Sequence, residues 1–294
     1  MINFWRYAYG LLGLVLLTFI LAIVSLPDAK LHLIACDVGQ GDAILAVYKN
    51  TQVLIDGGPD KKILDCLSRQ MPFWDREIEA VILTHPEDDH YGGLIEVLKS
   101  YKVDNLLANA VNSEKKGYQA YKQLVADGGV RVINPTNNTS VRMGKLYLDI
   151  AWPSEGKMSE ENVSGRTNVL GAFGSKKDLN TFSVVVNLTF GNFDALLPGD
   201  IGTGIIPDIL AGGEIIDVEY LKVPHHGSKN GLTKALLDKA TPEIAVISVG
   251  SKNRYGHPNQ ETLKMLTDKG IRVLRTDEVG DIEIITDGLS WWSN

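Results

Sequence analysis

Side chains that commonly bind metal ions are concentrated directly after an apolar stretch at 80–84. Residues 85–90 read HPEDDH. Because side chains two positions apart lie on the same side of an extended backbone, His85 and Glu87 form one pair of potential ligands. Asp89 and His90 present a second pair at a different angle. The glycines at 92–93 are expected to let the next helix begin close behind. The segment therefore predicts a turn that can serve two metal ions.

Further potential ligands also follow predicted strands, and five of the six histidines fall in motifs of this kind. They are Asp200 after 193–197, His225 and His226 after 218–223, and His257 after 244–249. Because sets of histidine and carboxylate ligands recur around metals, we expect these side chains to converge with residues 85–90 on one pocket. Taken alone, the histidine pair at 225–226 would be an ordinary polar turn, and His257 would be a loop residue beside Pro258. His32 is interpreted as a hydrogen-bonded strand histidine.

Short apolar strands and helical stretches alternate along the chain. Predicted strands cover 31–37, 42–48, 52–55, 80–84, 105–108, 145–152, 182–190, 193–197, 218–223 and 244–249, and predicted helices cover 61–70, 93–99, 118–126, 232–239 and 260–269. Each half begins with strands and continues in alternation, which predicts an α/β fold, an αββα sandwich of two facing sheets with helices outside. Residues 153–180 are rich in Gly, Ser and Lys and predict a surface loop that could border the site.

Residues 7–26 contain no charged side chain and are rich in Leu, Ile, Val and Phe. A helix of this length would cross the roughly 30 Å hydrocarbon core of a bilayer. The sequence therefore predicts a single-pass anchor at 1–28, followed by one large domain at 29–294. Arg6 is the only basic side chain before the span, which favours a cytoplasmic N-terminus and an extracytoplasmic domain in the cell membrane. The alternative is a cleaved signal peptide, although no Ala-x-Ala site follows the apolar stretch.

The formal net charge of the chain is -7. Such a chain has no broad basic field that attracts a polyanion, so a nucleic-acid substrate would need local cations, including bound metal. Composition alone argues mildly against DNA.

Four residues near the first predicted strand have weaker patterns. Cys36 and Cys66 are too few and too isolated for a thiolate metal site or a disulfide framework, and we expect them to be small buried apolar side chains. Asp37 and Asp42 flank the glycine-rich turn 39–41, where carboxylates can cap a tight turn. A structural role is favoured for Asp37, and the role of Asp42 stays open.

Taken together, these motifs resemble the metallo-β-lactamase superfamily, whose signature is His-x-His-x-Asp-His followed by an Asp and a late His. Within it, the segments DVGQGD at 37–42, LIDGG at 54–58, PHHGS at 224–228 and YGHP at 255–258 look like the C-terminal hydrolase domain of the ComEC family of bacterial DNA-uptake channel proteins. The resemblance covers residues 30–285. No multi-span channel segment precedes it in this sequence, so we expect a free-standing, anchored form of that domain.

The resemblance implies a role for each matching residue. His85 and Glu87 would bind the first metal, Asp89 and His90 the second, Asp200 would bridge them, and His226 would be the late ligand. Asp89, His225 and His257 are the candidate catalytic residues. Asp56 would brace the ligand turn by hydrogen bonds. Asn180, Ser183, Lys222 and Ser228 are candidates for supporting the ligands or contacting the substrate, and Arg254 and Asn259 are weaker candidates for contact with the substrate.

Two departures from the superfamily signature bear on the metal. Glu87 stands where the signature has its second histidine, and Asn180 and Ser183 lie in the region of the usual intervening histidine. Carboxylate oxygens favour harder ions, so the two divalent ions implied by the resemblance would be zinc or manganese.

The expected activity is hydrolysis of a phosphodiester, in DNA, including single-stranded DNA, or in a nucleotide-like ester, by a metal-activated water. One alternative is a hydrolase of a small lactone, lactam or phosphocholine-type ester. Another is a non-catalytic, metal-containing module of a DNA-uptake apparatus. A family resemblance does not fix a substrate, so all three stay open.

Overall fold

The computed structural model describes residues 4–24, 27–160 and 168–293. In the first half of the chain it forms α1 (Phe4–Val24), β1 (Leu31–Ala35), β2 (Ile44–Tyr48), β3 (Thr51–Ile55), α2 (Lys62–Gln70), β4 (Glu77–Leu83), α3 (Asp88–Ser100), β5 (Lys102–Ala108), β6 (Val111–Asn112), α4 (Lys116–Asp127), β7 (Arg131–Ile133), β8 (Ser140–Met143) and β9 (Leu146–Trp152). The second half forms α5 (Glu155–Glu160), β10 (Phe173–Gly174), β11 (Val185–Phe190), β12 (Phe193–Leu197), α6 (Ile206–Gly212), β13 (Tyr220–Lys222), α7 (Lys234–Ala240), β14 (Ile244–Ile247), α8 (Gln260–Asp268), β15 (Arg272–Arg275), α9 (Thr276–Val279), β16 (Ile282–Thr286) and β17 (Trp291–Ser293).

Two large sheets are built from these strands. The first has the order β17-β16-β1-β2-β3-β4-β5-β7, and the second has the order β15-β14-β13-β12-β11-β9-β8. Strands β3, β4, β5 and β7 run parallel in the first sheet, as do β12, β13, β14 and β15 in the second. Parallel neighbours end on the same side of a sheet, which brings the segments that follow them together.

Most of the buried apolar side chains form three layers. A central layer, which includes Leu33, Val186 and Phe190, lies between the sheets. A second layer packs α2, α3 and α4 on the outer face of the first sheet, and a third packs α6, α7 and α8 on the outer face of the second. Burial on both faces explains why the parallel strands read as continuous apolar runs. The predicted αββα sandwich is confirmed.

Helix α3 begins earlier than the sequence predicts, at Asp88 instead of 93. Gly92 and Gly93 therefore lie inside the helix. A Cβ atom at Gly92 would collide with the carbonyl oxygen of Pro59, and one at Gly93 would collide with that of Gly57. Glycine is needed there because two backbones approach closely, and not because the helix has yet to start.

The prediction that the two cysteines are separate buried side chains is wrong in one respect. Cys36 and Cys66 are both fully buried, but they are joined by a disulfide with a Cα–Cα distance of 5.9 Å. The bridge ties the segment after β1 to α2 across 30 positions of sequence. In the chain-entropy model, a bridge that closes a loop of that length stabilises the folded state by about 3.6 kcal/mol.

Several smaller predictions also have outcomes. His32 is hydrogen-bonded to Glu283 and Asp28, as expected of a strand histidine. Asp37 accepts a hydrogen bond from the backbone of Gly39, which is the capping role favoured for it. The predicted loop 153–180 contains α5 and β10, while its positions 161–167 lie outside the described residues.

The predicted membrane anchor is not confirmed. Among the described residues, no helix combines the length and hydropathy needed to span a bilayer. Positions 25–26 of the predicted span lie outside the described part of the chain.

Candidate metal centre

The candidate site lies where strands of both sheets end. The turn 84–87 follows β4, Asp200 follows β12, the histidine pair at 225–226 follows β13, and the loop 248–258 follows β14. All four strands belong to the parallel parts of their sheets. The fold thus brings to one edge side chains that are more than a hundred positions apart in sequence.

Asp56 and Thr84 position the two histidines of the β4 turn. Thr84 donates to Asp56 from its backbone N–H (2.8 Å) and from its hydroxyl (2.7 Å). The oxygen of that hydroxyl lies 3.0 Å from Nδ1 of His85 and accepts a hydrogen bond from it. Nδ1 of His90 lies 2.7 Å from Oδ2 of Asp56. Both rings therefore use Nδ1 as donor, which leaves each Nε2 for another partner.

Asp200 lies at the centre of the cluster. Its backbone N–H donates to the hydroxyl of Ser183 over 3.1 Å, which fixes the start of the loop after β12. Its carboxylate lies 3.5 Å from Nε2 of His90 and 3.3 Å from Nε2 of His226. The Nε2 atom of His225 lies 4.0 Å away. One carboxylate therefore contacts histidines from both sheets.

The backbone at His225 and His226 is left-handed, with φ values of 51° and 53°. This conformation is uncommon for residues with a Cβ and often occurs at functional sites. It places Nδ1 of His226 2.9 Å from the carbonyl oxygen of Ser248, so that Nδ1 is the donor. Nε2 then lies 3.5 Å from Asp89 and close to Asp200.

The pKa values reflect crowding of opposite charges. Burial opposes a charge on His90, but the carboxylates of Asp56 and Asp200 outweigh it and raise the pKa well above its ordinary value. His226 behaves in the same way beside Asp200 and Asp42. Burial, reinforced by the neighbouring His90, lowers the pKa of His85 to about 3. Without a metal, the cluster therefore holds protons that a divalent cation would displace.

The donor atoms fit a metal centre. Nε2 of His85, His90 and His226 and one oxygen of Asp200 are buried without a hydrogen-bond partner. Among the described residues, four groups of three donors have their ligand atoms within 4.8 Å of one another. These groups are His85–His90–Asp200, Asp89–His90–His226, Asp42–Asp56–His90 and Asp42–Asp200–His226. A buried polar atom without a partner is energetically costly, and bound cations would give these ligand atoms partners.

Other predicted site residues lie at the margin of the cluster. Glu87 lines the cavity and lies in none of the four groups, and burial and the charge of Asp89 raise its pKa. His225 and His257 have ring centroids 5.8 Å apart on the cavity wall. Asn180 is buried in a short turn. The hydroxyl of Ser228 accepts from the N–H of Asn230, and its carbonyl oxygen accepts from the hydroxyl of Thr262 on α8. Their proposed roles stay predictions.

The role of Asp42, which the sequence leaves open, is clearer in the structure. Asp42 is buried and forms an ion pair with the equally buried Lys222. Lys222 also lies 3.8 Å from Asp200, and Asp42 lies 3.3 Å from Nδ1 of His226. Burial opposes ionisation of Asp42, but Lys222 and His226 lower its pKa to about 2. The signal in the sequence is Gly41, directly before Asp42. In the structure Gly41 has a φ of 138° and packs on the backbone of Asp89.

A cavity of about 520 Å³ opens above the cluster. Asp89, Asp200 and His226 contribute to its floor. Four cationic side chains line the same cavity, namely Lys62, Lys115, Lys252 and Arg254. Asp60, Glu87, Asp88, Asp89 and Asp200 line it as well, and Lys115 is paired with Asp88 over 2.7 Å, so Lys62, Lys252 and Arg254 are the cations left beside the candidate metal ligands.

Comparison with known proteins agrees with this geometry. The family described as the Metallo-beta-lactamase superfamily matches residues 36–251. ComE operon protein 3 of Bacillus subtilis (strain 168) is 28% identical over 266 residues, covering 84% of this chain and 32% of that protein. Competence protein ComA of Neisseria gonorrhoeae is 24% identical over 266 residues, covering 88% of this chain and 33% of that protein. These relatives confirm the resemblance to ComEC-type proteins, and the chain spans about a third of their length.

A solved structure shows the same fold. Igni18, a metallo hydrolase from the hyperthermophilic archaeon Ignicoccus hospitalis, has a TM-score of 0.56 at 13% identity. The match covers 86% of this chain and 98% of that chain. At this identity the likeness concerns the fold alone.

Proposed function

Because this chain belongs to the metallo-beta-lactamase superfamily of metal-dependent hydrolases, we propose that it cleaves phosphodiester bonds in nucleic acid. The observation that carries the proposal is the cluster of candidate metal ligands with Lys62, Lys252 and Arg254 on the wall of the same cavity. The chain as a whole is acidic, so it attracts a polyanion only where cations are gathered locally. Their position beside the histidine and aspartate cluster is the one that a phosphodiester would require.

Two divalent ions are proposed at the cluster, zinc or manganese. His85, His90 and Asp200 would hold one, and Asp89, His226 and the shared Asp200 would hold the other. When bound, such ions supply a Lewis acid for a phosphoryl oxygen and an activated water.

The chain's own side chains would position the substrate above this centre. Burial and the nearby His226 and His225 lower the pKa of His257, which favours a neutral ring. A neutral His257 suits a hydrogen bond to a phosphate oxygen better than delivery of a proton. His225, beside it, is a candidate for contact with the leaving group. Ser228 is a weaker candidate for the same contact.

The test uses the full chain, stripped of metal by a chelator and reloaded with Mn²⁺ or Zn²⁺. We expect hydrolysis of bis-p-nitrophenyl phosphate and of single-stranded DNA. Asp89→Asn should reduce it by about 100-fold or more, because a carboxylate beside His90 and His226 is lost. Asp127→Asn, on an exposed helix end, is the control and should retain activity.

Other outcomes would reject the phosphodiesterase. Turnover of nitrocefin or lactones without cleavage of phosphodiesters would assign the chain to small-molecule hydrolysis. Stoichiometric metal with no turnover of any of these substrates would assign it to the non-catalytic module.

A role with the DNA-uptake machinery is proposed from the relatives. One carries the name Competence protein ComA. This chain matches only about a third of the length of these relatives. A partnership with other parts of the uptake machinery is therefore a proposal.

Attachment to the cell membrane through residues 7–26, with the hydrolase domain outside the cytoplasm, is likewise a proposal. Helix α1 exposes Trp5, Tyr7 and Tyr9 near its start, and aromatic side chains of this kind favour a membrane interface. The Cys36–Cys66 disulfide supports an extracytoplasmic location, since such bridges persist in oxidising compartments and are rare in the cytosol.

Thiol trapping in intact cells tests this location. After acid quenching and denaturation, a maleimide-linked polyethylene glycol should leave the mass of the chain unchanged, and prior reduction should add two labels, one for each cysteine. The chain should also sediment with membranes after an alkaline wash. Labelling without reduction would contradict the extracytoplasmic location.

A further inference from the structure

The loop that follows β14 presents an aromatic ring to solvent beside the cavity. Tyr255 is 71% exposed and lines the cavity. Its ring is stacked beside that of His257, with centroids 5.8 Å apart and an angle of 25° between the planes. Its exposure beside a polar site leaves the aromatic ring accessible to a ligand in the cavity.

The backbone of this loop is held in shape from within. The side chain of Asn253 accepts from the N–H of His257 over 3.0 Å and donates to the carbonyl oxygens of Gly250 and His257, each over 2.9 Å. These bonds close the loop on itself, with Gly256 at a positive φ of 71°. Tyr255 is thus presented at the tip of a pre-organised turn.

Two cations precede Tyr255 in the sequence. Lys252 and Arg254 are exposed and line the same cavity as Tyr255. An aromatic ring and two cations that line the same cavity as the candidate metal ligands match the two parts of a nucleotide, the base and its phosphates. Among the described residues that line the cavity, Tyr255 is the only one with a phenyl, phenol or indole ring.

We propose that residues 252–257 form a platform for unpaired nucleic acid, on which Tyr255 stacks with one base while Lys252 and Arg254 contact the adjoining phosphates. The inference rests on the proposed phosphodiesterase activity and adds a preference of that activity for unpaired strands. In a duplex, the faces of the bases are covered by neighbouring bases, so a ring at the rim stacks only with a base that is already unpaired. The platform therefore selects single strands over duplexes.

Binding can be measured apart from cleavage. Fluorescence anisotropy measures the affinity of the full chain for thymidine oligomers of about 12 nucleotides. The oligomers have phosphorothioate linkages, which keep the negative charge and resist hydrolysis. Tyr255→Ala should weaken single-strand binding by about tenfold, equivalent to about 1.4 kcal/mol. Tyr255→Trp should keep the affinity, because the larger ring also stacks.

A matched control is available. Tyr147 is also exposed, at 39%, and has the guanidinium of Arg142 over its ring, but it lies on β9, outside the cavity lining. Tyr147→Ala should leave binding unchanged. Tyr255→Ala should also leave unchanged the binding of a duplex and of an abasic oligomer of the same charge. Equal losses for the abasic and the normal oligomer, or no loss at all, would overturn the platform.

The phosphate contacts have a separate signature. Each contact with a single strand contributes about 0.7 to the slope of log affinity against log salt concentration. The double variant Lys252→Ala/Arg254→Ala should therefore flatten the slope by about 1.4, whereas Lys264→Ala, which removes a lysine paired with Asp268 on α8, should not change it. An unchanged slope in the double variant would contradict the phosphate contacts.

The two proposals can fail independently. If bis-p-nitrophenyl phosphate is cleaved but Tyr255→Ala binds the oligomers as the wild type does, the platform is wrong and the phosphodiesterase stands. If the oligomers bind through Tyr255 but no phosphodiester is cleaved, the phosphodiesterase is wrong and the platform stands.

Discussion

Asp200→Asn is expected to remove metal binding at the cluster. The Asp200 carboxylate lies within 3.5 Å of the Nε2 atoms of His90 and His226 and belongs to two of the four ligand groups, so it joins ligands from both sheets. Asparagine keeps the shape but loses the charge and one strong acceptor. Saturating Mn²⁺, at 100 times its dissociation constant, should stabilise the wild type by about 2.7 kcal/mol and the variant by close to none.

Thermal or urea unfolding with and without Mn²⁺ measures this difference, and elemental analysis gives the metal content. Asp194→Asn is a suitable control, because Asp194 lies on the same strand, β12, and bonds to Thr189 away from the cluster. The control should keep the full metal-dependent stabilisation. Metal-dependent stabilisation of Asp200→Asn equal to that of the wild type would reject the proposed centre.

Lys222→Met is expected to have the largest effect on the stability of the metal-free protein. The ammonium group is buried between the carboxylates of Asp42 and Asp200. Its removal leaves two buried negative charges without their shared partner, and breaking a buried pair in this way costs about 3–5 kcal/mol. The free energy of unfolding in urea measures the loss.

A second variant separates charge from packing. Lys222→Met combined with Asp42→Asn removes both partners of the ion pair, so it should be more stable than Lys222→Met alone. Lys239→Met, an exposed lysine on α7, should change stability by no more than about 0.5 kcal/mol. If the double variant is less stable than Lys222→Met, the ion pair is not the cause of the loss.

The deficit of Lys222→Met should also depend on pH. The folded-state pKa of Asp42 is about 2, below its ordinary value of 3.8. A carboxyl with a lowered folded pKa contributes stability that is present above its ordinary pKa and is lost as the pH falls through the folded value. The difference between variant and wild type should therefore be full above about pH 4 and should narrow towards pH 2.

The ligand motifs are a case that the sequence predicts well. A parallel strand is a short apolar run, and the polar residues after it lie at the edge where neighbouring parallel strands also end. The segments before His85, Asp200 and His226 follow this rule, and these side chains lie together in the structure. Glu87, in contrast, lies directly before α3, lines the cavity and belongs to none of the four ligand groups, so its role as a ligand stays a prediction.

What this sequence determines by itself is local: which segments are apolar enough to become buried strands, where they end, and which metal-binding side chains follow them. Only the tertiary structure decides which distant groups meet. The Cys36–Cys66 bridge depends on how α2 packs beside β1, and the Asp42–Lys222 ion pair joins residues from different sheets. The physical reason is that periodicity encodes which side of an element is buried, whereas the distance between two such elements depends on the packing of the whole core.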